Sequence, residues 1–329
     1  MMNIQTWLLR RFTKEEARSG LWPLEWTMMV YMMFTFVLMA FLWNELVDVK
    51  PMLLNRLFFV LILGTVWMVY HIRPCRLTAY LRVVLVMFTL GGWYPDTYEF
   101  NRLFLNLDHV FSTFEHNIFG CQPSLVFGEK FPQWWVSEPL YLGYFSYFPM
   151  MIVLVTTVWL KCIEHLQRVT FIMMASFFLY YVVYIFLPVA GPQYYFLAPG
   201  VDAAAGIFPN VGYYFHEMRS MYPAAGSDGL FHDLVNMAHN AGERPTAAFP
   251  SSHVGVATII LLLCRRCGLT KLMLVLLPFY ILMCLATVYI HAHYVIDAIA
   301  GFITAFALYS LLDRCFTLME KRRDKWGHP

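Results

Sequence analysis

Arg244, His253, His293 and Asp297 are the residues whose types and spacing can do chemistry together. They stand in three short segments of the last third of the chain: Glu243-Arg244-Pro245, Phe249-Pro250-Ser251-Ser252-His253, and His291-Ala-His293-Tyr-Val-Ile-Asp297. His293 and Asp297 are four apart, a spacing that stacks two side chains on one helix face. The carboxylate then accepts the proton of one imidazole nitrogen and leaves the other as a lone pair facing phosphorus, the orienting role a carboxylate plays in catalytic triads. His253, behind Pro250-Ser251-Ser252 at a helix start, is placed to protonate a leaving oxygen and then deprotonate an incoming hydroxyl. The hydroxyls of Ser251 and Ser252, with the first free N–H groups of that helix, make an anion site. Arg244 supplies a planar donor fork that grips two phosphoryl oxygens. The chemistry so described is phosphoryl transfer through a phosphohistidine.

The elements that must position these residues are membrane helices. The 329 residues are 60% hydrophobic, 18% aromatic and only 13% charged, where a soluble chain carries about 25% charged residues. An ordinary soluble enzyme is excluded, and a formal charge of +2 provides no basic field to hold nucleic acid. Eight apolar blocks run near Trp26–Trp43, Leu57–Tyr70, Leu77–Tyr94, Tyr141–Leu160, Val169–Leu187, Ser251–Cys264, Leu272–Ile290 and Tyr294–Leu312. A spanning helix needs roughly 17 to 25 mostly apolar residues, so the second and sixth blocks are short. The first does not read as a cleaved signal, since it is too long and lacks a small-residue cleavage site. The expected fold is an all-α integral membrane protein, a bundle of about eight transmembrane helices (six to eight) with two long extracytoplasmic loops.

Orientation follows from Lys and Arg, which are enriched in cytoplasmic loops. With the amino terminus inside, seventeen of the 23 basic residues fall inside, among them Arg10, Arg11 and Arg82, and six outside, among them Arg56, Arg102 and Arg219. Both termini are therefore expected in the cytoplasm, and the site on the extracytoplasmic (periplasmic or luminal) face. The expected organisation is residues 1–140 as amino-terminal spans and lid, 141–313 as the catalytic helix bundle, and 314–329 as a basic cytoplasmic tail. Two outer segments, Pro95–Leu140 and Pro188–Pro250, are too long to be mere turns. The stretch Tyr98–Phe111 has apolar residues at helical spacing and predicts an amphipathic helix in the interface plane, a structural lid, with Trp134 and Trp135 at headgroup level.

Other chemistries fit less well. Of seven cysteines only Cys121 lies outside, so no extracytoplasmic disulfide is expected within the chain, and Cys264-Arg-Arg-Cys267 sits in a cytoplasmic turn without a thioredoxin-like frame. His253, His291, His293 and Asp297 could instead ligate a metal in a metal-dependent membrane oxidase or hydrolase, but the Arg-Pro and Pro-Ser-Ser-His elements would then have no purpose. A non-catalytic transporter predicts ionisable residues scattered through several spans, and the apolar blocks hold almost none. No metal and no cofactor are expected. The expected partners are membrane lipids, a phospholipid donor and a lipid alcohol acceptor, with no nucleic acid and no obligate protein partner evident.

Arg-Pro, Pro-Ser-x-His and His-x-x-x-Asp, in that order over residues 188–312, resemble the type 2 phosphatidic acid phosphatase superfamily, whose motifs are K-x6-R-P, P-S-G-H and S-R-x5-H-x3-D. His293-Tyr-x-x-Asp297 with Gly301 beyond it is similar to the inositol phosphorylceramide synthases and sphingomyelin synthases of that superfamily. The resemblance implies a membrane-embedded lipid phosphotransferase that moves an inositol phosphate-like head group from a glycerophospholipid to a ceramide-like hydroxyl. A lipid phosphate phosphatase is the alternative. Met237 stands where the first motif has Lys, Ala286 and Thr287 where the third has Ser and Arg, and Ser252 where the second has Gly. With Arg244 alone of the three cations, a singly charged phosphodiester is the better-matched substrate, unless a cation such as Arg219 substitutes.

Overall fold

Runs of apolar residues long enough to cross hydrocarbon dominate the computed structural model, which describes residues 12–226 and 228–325. Six spans qualify by length and hydropathy: Pro23–Phe41, Val49–Ile72, Arg76–Asn101, Ile163–Phe186, Thr270–Tyr289 and Val295–Arg322. A seventh is the pair Trp134–Phe145 and Tyr147–Lys161, bent by 47°. The bend has a local cause. Pro149 has no N–H to donate back across the break, and the Ser146 hydroxyl donates to the Gly143 carbonyl at 2.6 Å. No strand occurs among the described residues, and the chain is an all-α, multi-pass membrane bundle.

Numbered in chain order, the helices are α1 (Pro23–Phe41), α2 (Val49–Ile72), α3 (Arg76–Phe88), α4 (Leu90–Asn101), α5 (Asp108–Phe119), α6 (Pro123–Lys130), α7 (Trp134–Phe145), α8 (Tyr147–Lys161), α9 (Leu166–Phe186), α10 (Pro192–Tyr195), α11 (Leu230–Gly242), α12 (Ser252–Arg266), α13 (Thr270–Tyr289) and α14 (Val295–Lys325). The sixth apolar block forms α12, whose 15 residues reach about 22 Å, short of the roughly 30 Å hydrocarbon core. Its residues are buried on nearly every side, and a helix buried all round shows the same apolar run as a span.

The chain packs as two compact units, Met1–Tyr94 with Val155–Phe178 and Leu311–Pro329, and Pro95–Leu154 with Leu179–Ser310. In the first, Arg82 of α3 pairs with Glu25 of α1 at 2.5 Å and lies over the rings of Trp22 and Tyr70. Arg56 of α2 donates to Thr35 Oγ1 at 2.8 Å. Both arginines were expected in connecting segments. They sit inside spanning helices instead, buried and partnered, which removes one charge from each side of the orientation count. Arg56 lies one residue before its apolar block, within a helix that extends beyond it, whereas Arg82 lies inside the third block. Arg10 and Arg11, and the end of the 314–329 tail, lie outside the described residues.

In the second unit the stretch Tyr98–Phe111 is not one helix. α4 stops at Asn101 and α5 starts at Asp108. Between them the Asn106 and Leu107 N–H groups donate to Gly212 and Pro188 carbonyls, and Asn106 Oδ1 accepts from Asp108 N at 3.0 Å. Donors spent on loop partners and on a local side-chain turn are lost to a helix ladder. Trp134 and Trp135 are exposed at the start of α7. Two glycines set how closely the elements around α12 meet: a Cβ at Gly301 would lie 2.3 Å from the Ser251 carbonyl oxygen, and one at Gly255 2.0 Å from the Tyr180 hydroxyl.

Candidate active site

Helix α12 starts where three chain segments cross. Ser251 is its N-cap, accepting from Val254 N at 3.3 Å, and its own N–H donates to the Asp297 carbonyl at 3.0 Å. The Ser252 N–H donates to the Tyr184 hydroxyl at 2.9 Å, and that hydroxyl donates to the Pro250 carbonyl at 2.8 Å. Two donors expected to be free for an anion are therefore already engaged at rest. His253, in the first turn, stacks on Tyr144 at 4.7 Å and packs against Tyr147 at 4.5 Å.

His293 belongs to the turn between α13 and α14, not to a helix, so the expected shared helix face with Asp297 does not exist. His291, in the left-handed region at φ 65°, reverses the chain, and the His293 N–H returns to the Thr287 carbonyl at 2.9 Å. His293 Nδ1 lies 2.7 Å from the Ala248 carbonyl oxygen and Nε2 lies 3.4 Å from His253 Nδ1. A carbonyl only accepts, so Nδ1 carries the proton and Nε2 presents its lone pair to His253. Asp297 is third in α14. Its Oδ2 accepts from the Tyr294 N–H at 2.8 Å, half of a capping box, and stands 3.6 Å from His293 Nδ1, beyond hydrogen-bond distance. The backbone of Ala248 thus takes the orienting position that spacing had assigned to Asp297.

Burial pushes the His293 imidazole, which lies outside the spanning helices, down to about 4, against the opposing pull of the Ala248 carbonyl and the Glu243 charge. The ring is neutral at pH 7. Arg244 is half-buried and donates to the Glu243 carbonyl at 2.8 Å. Burial and the Glu243 charge raise the Tyr194 phenol, while Arg244 and Arg219 oppose them, so all three charges act on one ring of α10. The structure gathers Ser251, Ser252, His253, His293 and Asp297, while Arg244 donates to the Glu243 carbonyl and acts through its charge on Tyr194. His291 points elsewhere, packing on Tyr222 at 5.3 Å. Among the described residues no group of three His, Cys, Asp or Glu side chains is arranged to hold a metal ion.

Three residues escaped the sequence reading. Glu115 Oε1 accepts from Ile296 N at 3.2 Å, and Asp108 accepts from Ala190 N, Gly191 N and the Tyr294 hydroxyl at 2.6, 2.8 and 2.9 Å. Both come from α5, more than 180 positions before the turn they brace, and no local pattern announces such a pairing. His239 of α11 meets Tyr144 at 5.5 Å, the same ring that stacks on His253. Its signal was present, since His232 and His239 recur two turns apart on an amphipathic helix.

Burial, reinforced by the Asp297 charge, raises the Glu115 carboxyl to about 7. The fold then holds a proton between pH 4.5 and 7 that the unfolded chain has released, so stability falls as pH rises through that window and is level above it. Glu115→Gln keeps the acceptor for Ile296 without the charge. It is expected to flatten the profile and raise Tm at pH 8 by about 2–4 °C or more, read by thermal unfolding in detergent across pH 4.5–8.

A multi-pass helical bundle presenting two facing imidazoles, one with its lone pair fixed by the backbone, beside a carboxylate and an arginine, is suited to phosphoester chemistry on membrane lipids. The sequence profile of the PAP2 superfamily matches residues 129–311, more than half of the chain, and the chain belongs to that superfamily. The match begins upstream of the three motifs and takes in α7 and α8. No curated protein and no solved structure matches the chain. Membership supports an enzyme of the lipid phosphatase or phosphotransferase type.

Proposed function

We propose that this protein is a lipid phosphotransferase that moves a phosphorylated head group, inositol phosphate-like, from a glycerophospholipid to a ceramide-like or other lipid hydroxyl. The observation that carries the chemistry is the pairing of His293 Nε2 with His253 at 3.4 Å while Nδ1 is held by Ala248. In the first half-reaction Nε2 attacks phosphorus, the bond from phosphorus to the diacylglycerol oxygen breaks, and His253, entering the step as the imidazolium, gives that oxygen its proton and is left neutral. In the second, the acceptor hydroxyl attacks phosphorus, His253 takes its proton, and the N–P bond breaks. Arg244, Ser251 and Ser252 hold the non-bridging oxygens, and Asp297 positions the turn that carries His293.

Charge supports a phosphodiester. Ala286 and Thr287 are buried and Thr287 Oγ1 donates to the Cys284 carbonyl at 2.8 Å, so no cation replaces the motif's arginine there, and Met237 is exposed. A lipid substrate suits the apolar cavity of about 560 Å³ whose wall includes Cys284, Leu285 and, next to His253 and Asp297 in sequence, Val254, Val295 and Ile299. The phosphatase reading draws on Arg219, which lies over Tyr98 at 5.0 Å and acts on Tyr194 together with Arg244; two cations suit a dianionic monoester better than one.

Incubating purified protein with radiolabelled phosphoinositide, with and without ceramide, separates the readings. Transfer puts label into a new lipid only when acceptor is present. Free head-group phosphate released equally fast in both samples supports the phosphatase. The proposed orientation, with the site extracytoplasmic and both termini cytoplasmic, predicts that a cysteine placed at residue 240 reacts with a membrane-impermeant reagent from the outer face only; labelling from the cytoplasm would invert it.

A further inference from the structure

A second cavity, of about 270 Å³, lies among α7, α10 and α11. Six of its nine lining residues are polar and uncharged, Gln193 of α10, Asn236, His239 and Asn240 of α11, Tyr141 of α7, and Tyr222, and Met221, Ala224 and Ile290 complete the wall. No Asp, Glu, Lys or Arg lines it. The lining is held in place before any ligand arrives. The Gln193 N–H donates to the His291 carbonyl at 2.8 Å, and its carbonyl accepts from Tyr222 N at 2.6 Å. Asn236 and Asn240 are four apart and share a face of α11. The Tyr141 hydroxyl donates to the Ala225 carbonyl at 3.0 Å, which leaves its oxygen as an acceptor. His239 Nε2 is buried without a hydrogen-bond partner, an arrangement that carries a desolvation cost until something bonds to it.

Amide, phenol and imidazole groups each donate and accept, so together they match an array of hydroxyls, which do the same. Burial lowers the His239 imidazole, with Glu243 opposing in part, and so keeps it a neutral donor and acceptor. A quaternary ammonium group is recognised by enclosing aromatic faces, and a primary ammonium by carboxylates; this lining has no acid and two phenol rings, Tyr141 and Tyr222, set among amides. The volume is just below the roughly 300–1,000 Å³ of drug-sized pockets, which suits one ring. His239 touches Tyr144 and Tyr144 stacks on His253, so the cavity ends one aromatic ring from the reacting centre.

We propose that this cavity is the head-group subsite of the site described above, and that it accepts an uncharged, polyhydroxylated ring esterified to the reacting phosphate while discriminating against choline and ethanolamine. It rests on the phosphodiester reading. The test is equilibrium binding of short-chain lipids carrying inositol, choline or ethanolamine heads to the purified full-length protein. Phosphatidate, which has no head group to place there, serves as the internal reference. Inositol lipid is expected to bind at least about tenfold tighter than the other two, a margin of one or two neutral hydrogen bonds, and Gln193→Leu or Asn236→Leu to cut that margin below about threefold relative to phosphatidate. Equal binding of the three heads by the native protein overturns the proposal, as does a margin that survives both substitutions. If either variant unfolds, Asn240→Leu, at an exposed position, takes its place. Selective binding of the inositol lipid without turnover would sink the transferase reading and leave the subsite standing, whereas turnover indifferent to the head group would do the reverse.

Discussion

His293→Ala is expected to lower turnover by at least about 10⁴-fold, because it removes the atom that forms the covalent intermediate. The native ring is neutral above about pH 4, so its lone pair is available across the physiological range, and activity is lost through this group only as pH falls towards 4. A phosphoramidate is labile to acid and stable to base, and it gives the assignment a signature that simple inactivity lacks. Native protein quenched in base after exposure to a lipid labelled at phosphorus retains label, and His293→Ala retains none. Near-normal turnover in the purified variant would rule out the phosphohistidine scheme. Asp297→Asn has a smaller expected effect, about 10- to 100-fold, since Asn still accepts from the Tyr294 N–H and the proton at Nδ1 is already held by Ala248.

The second large effect belongs to His253. If it protonates the departing oxygen, the loss on His253→Ala depends on how much that oxygen needs a proton. A diacylglycerol oxygen leaves poorly as an alkoxide, and the variant is expected to lose about 10³-fold in kcat/KM on a natural lipid. On a p-nitrophenyl phosphodiester, whose phenolate departs unaided, the same variant is expected to stay within about tenfold of native. A uniform loss on both substrates would mean that His253 only supports the fold around Tyr144 and Tyr147, and the acid role would fall.

Much of this was legible in the chain because the strongest signals are local. Spans announce themselves by apolar length, and Arg244, His253 and His293 by short motifs whose order places them together. The reading failed where the deciding partner is distant or is backbone. Nothing near His293 in sequence indicates that the Ala248 carbonyl, 45 positions away, fixes its tautomer, and spacing alone offered Asp297 for that role. Arg56 and Arg82 were counted with the connecting segments; the partners that make an arginine tolerable inside a span, Thr35 and Glu25, lie on other helices. The helix expected over Tyr98–Phe111 broke because loop carbonyls compete for its donors, a competition invisible to periodicity.

The contact at Gly301 bears on how the enzyme moves. With no side chain at 301, α14 is seated directly on the Ser251 carbonyl, and the Ser251 N–H is tied to the Asp297 carbonyl a turn earlier. Elements in backbone contact slide by small shears and do not swing apart, so the distance between the two imidazoles is set by the scaffold and does not breathe with the bundle. Opening and closing are then expected of the largely exposed stretch 197–220 within the segment Pro188–Pro250, which leaves Gln193, His239 and Ala248 in place. Substitutions in that segment should alter how fast lipid is admitted and product released, whereas the rate of the bond-breaking step stays tied to a hinge-free pair of helix starts.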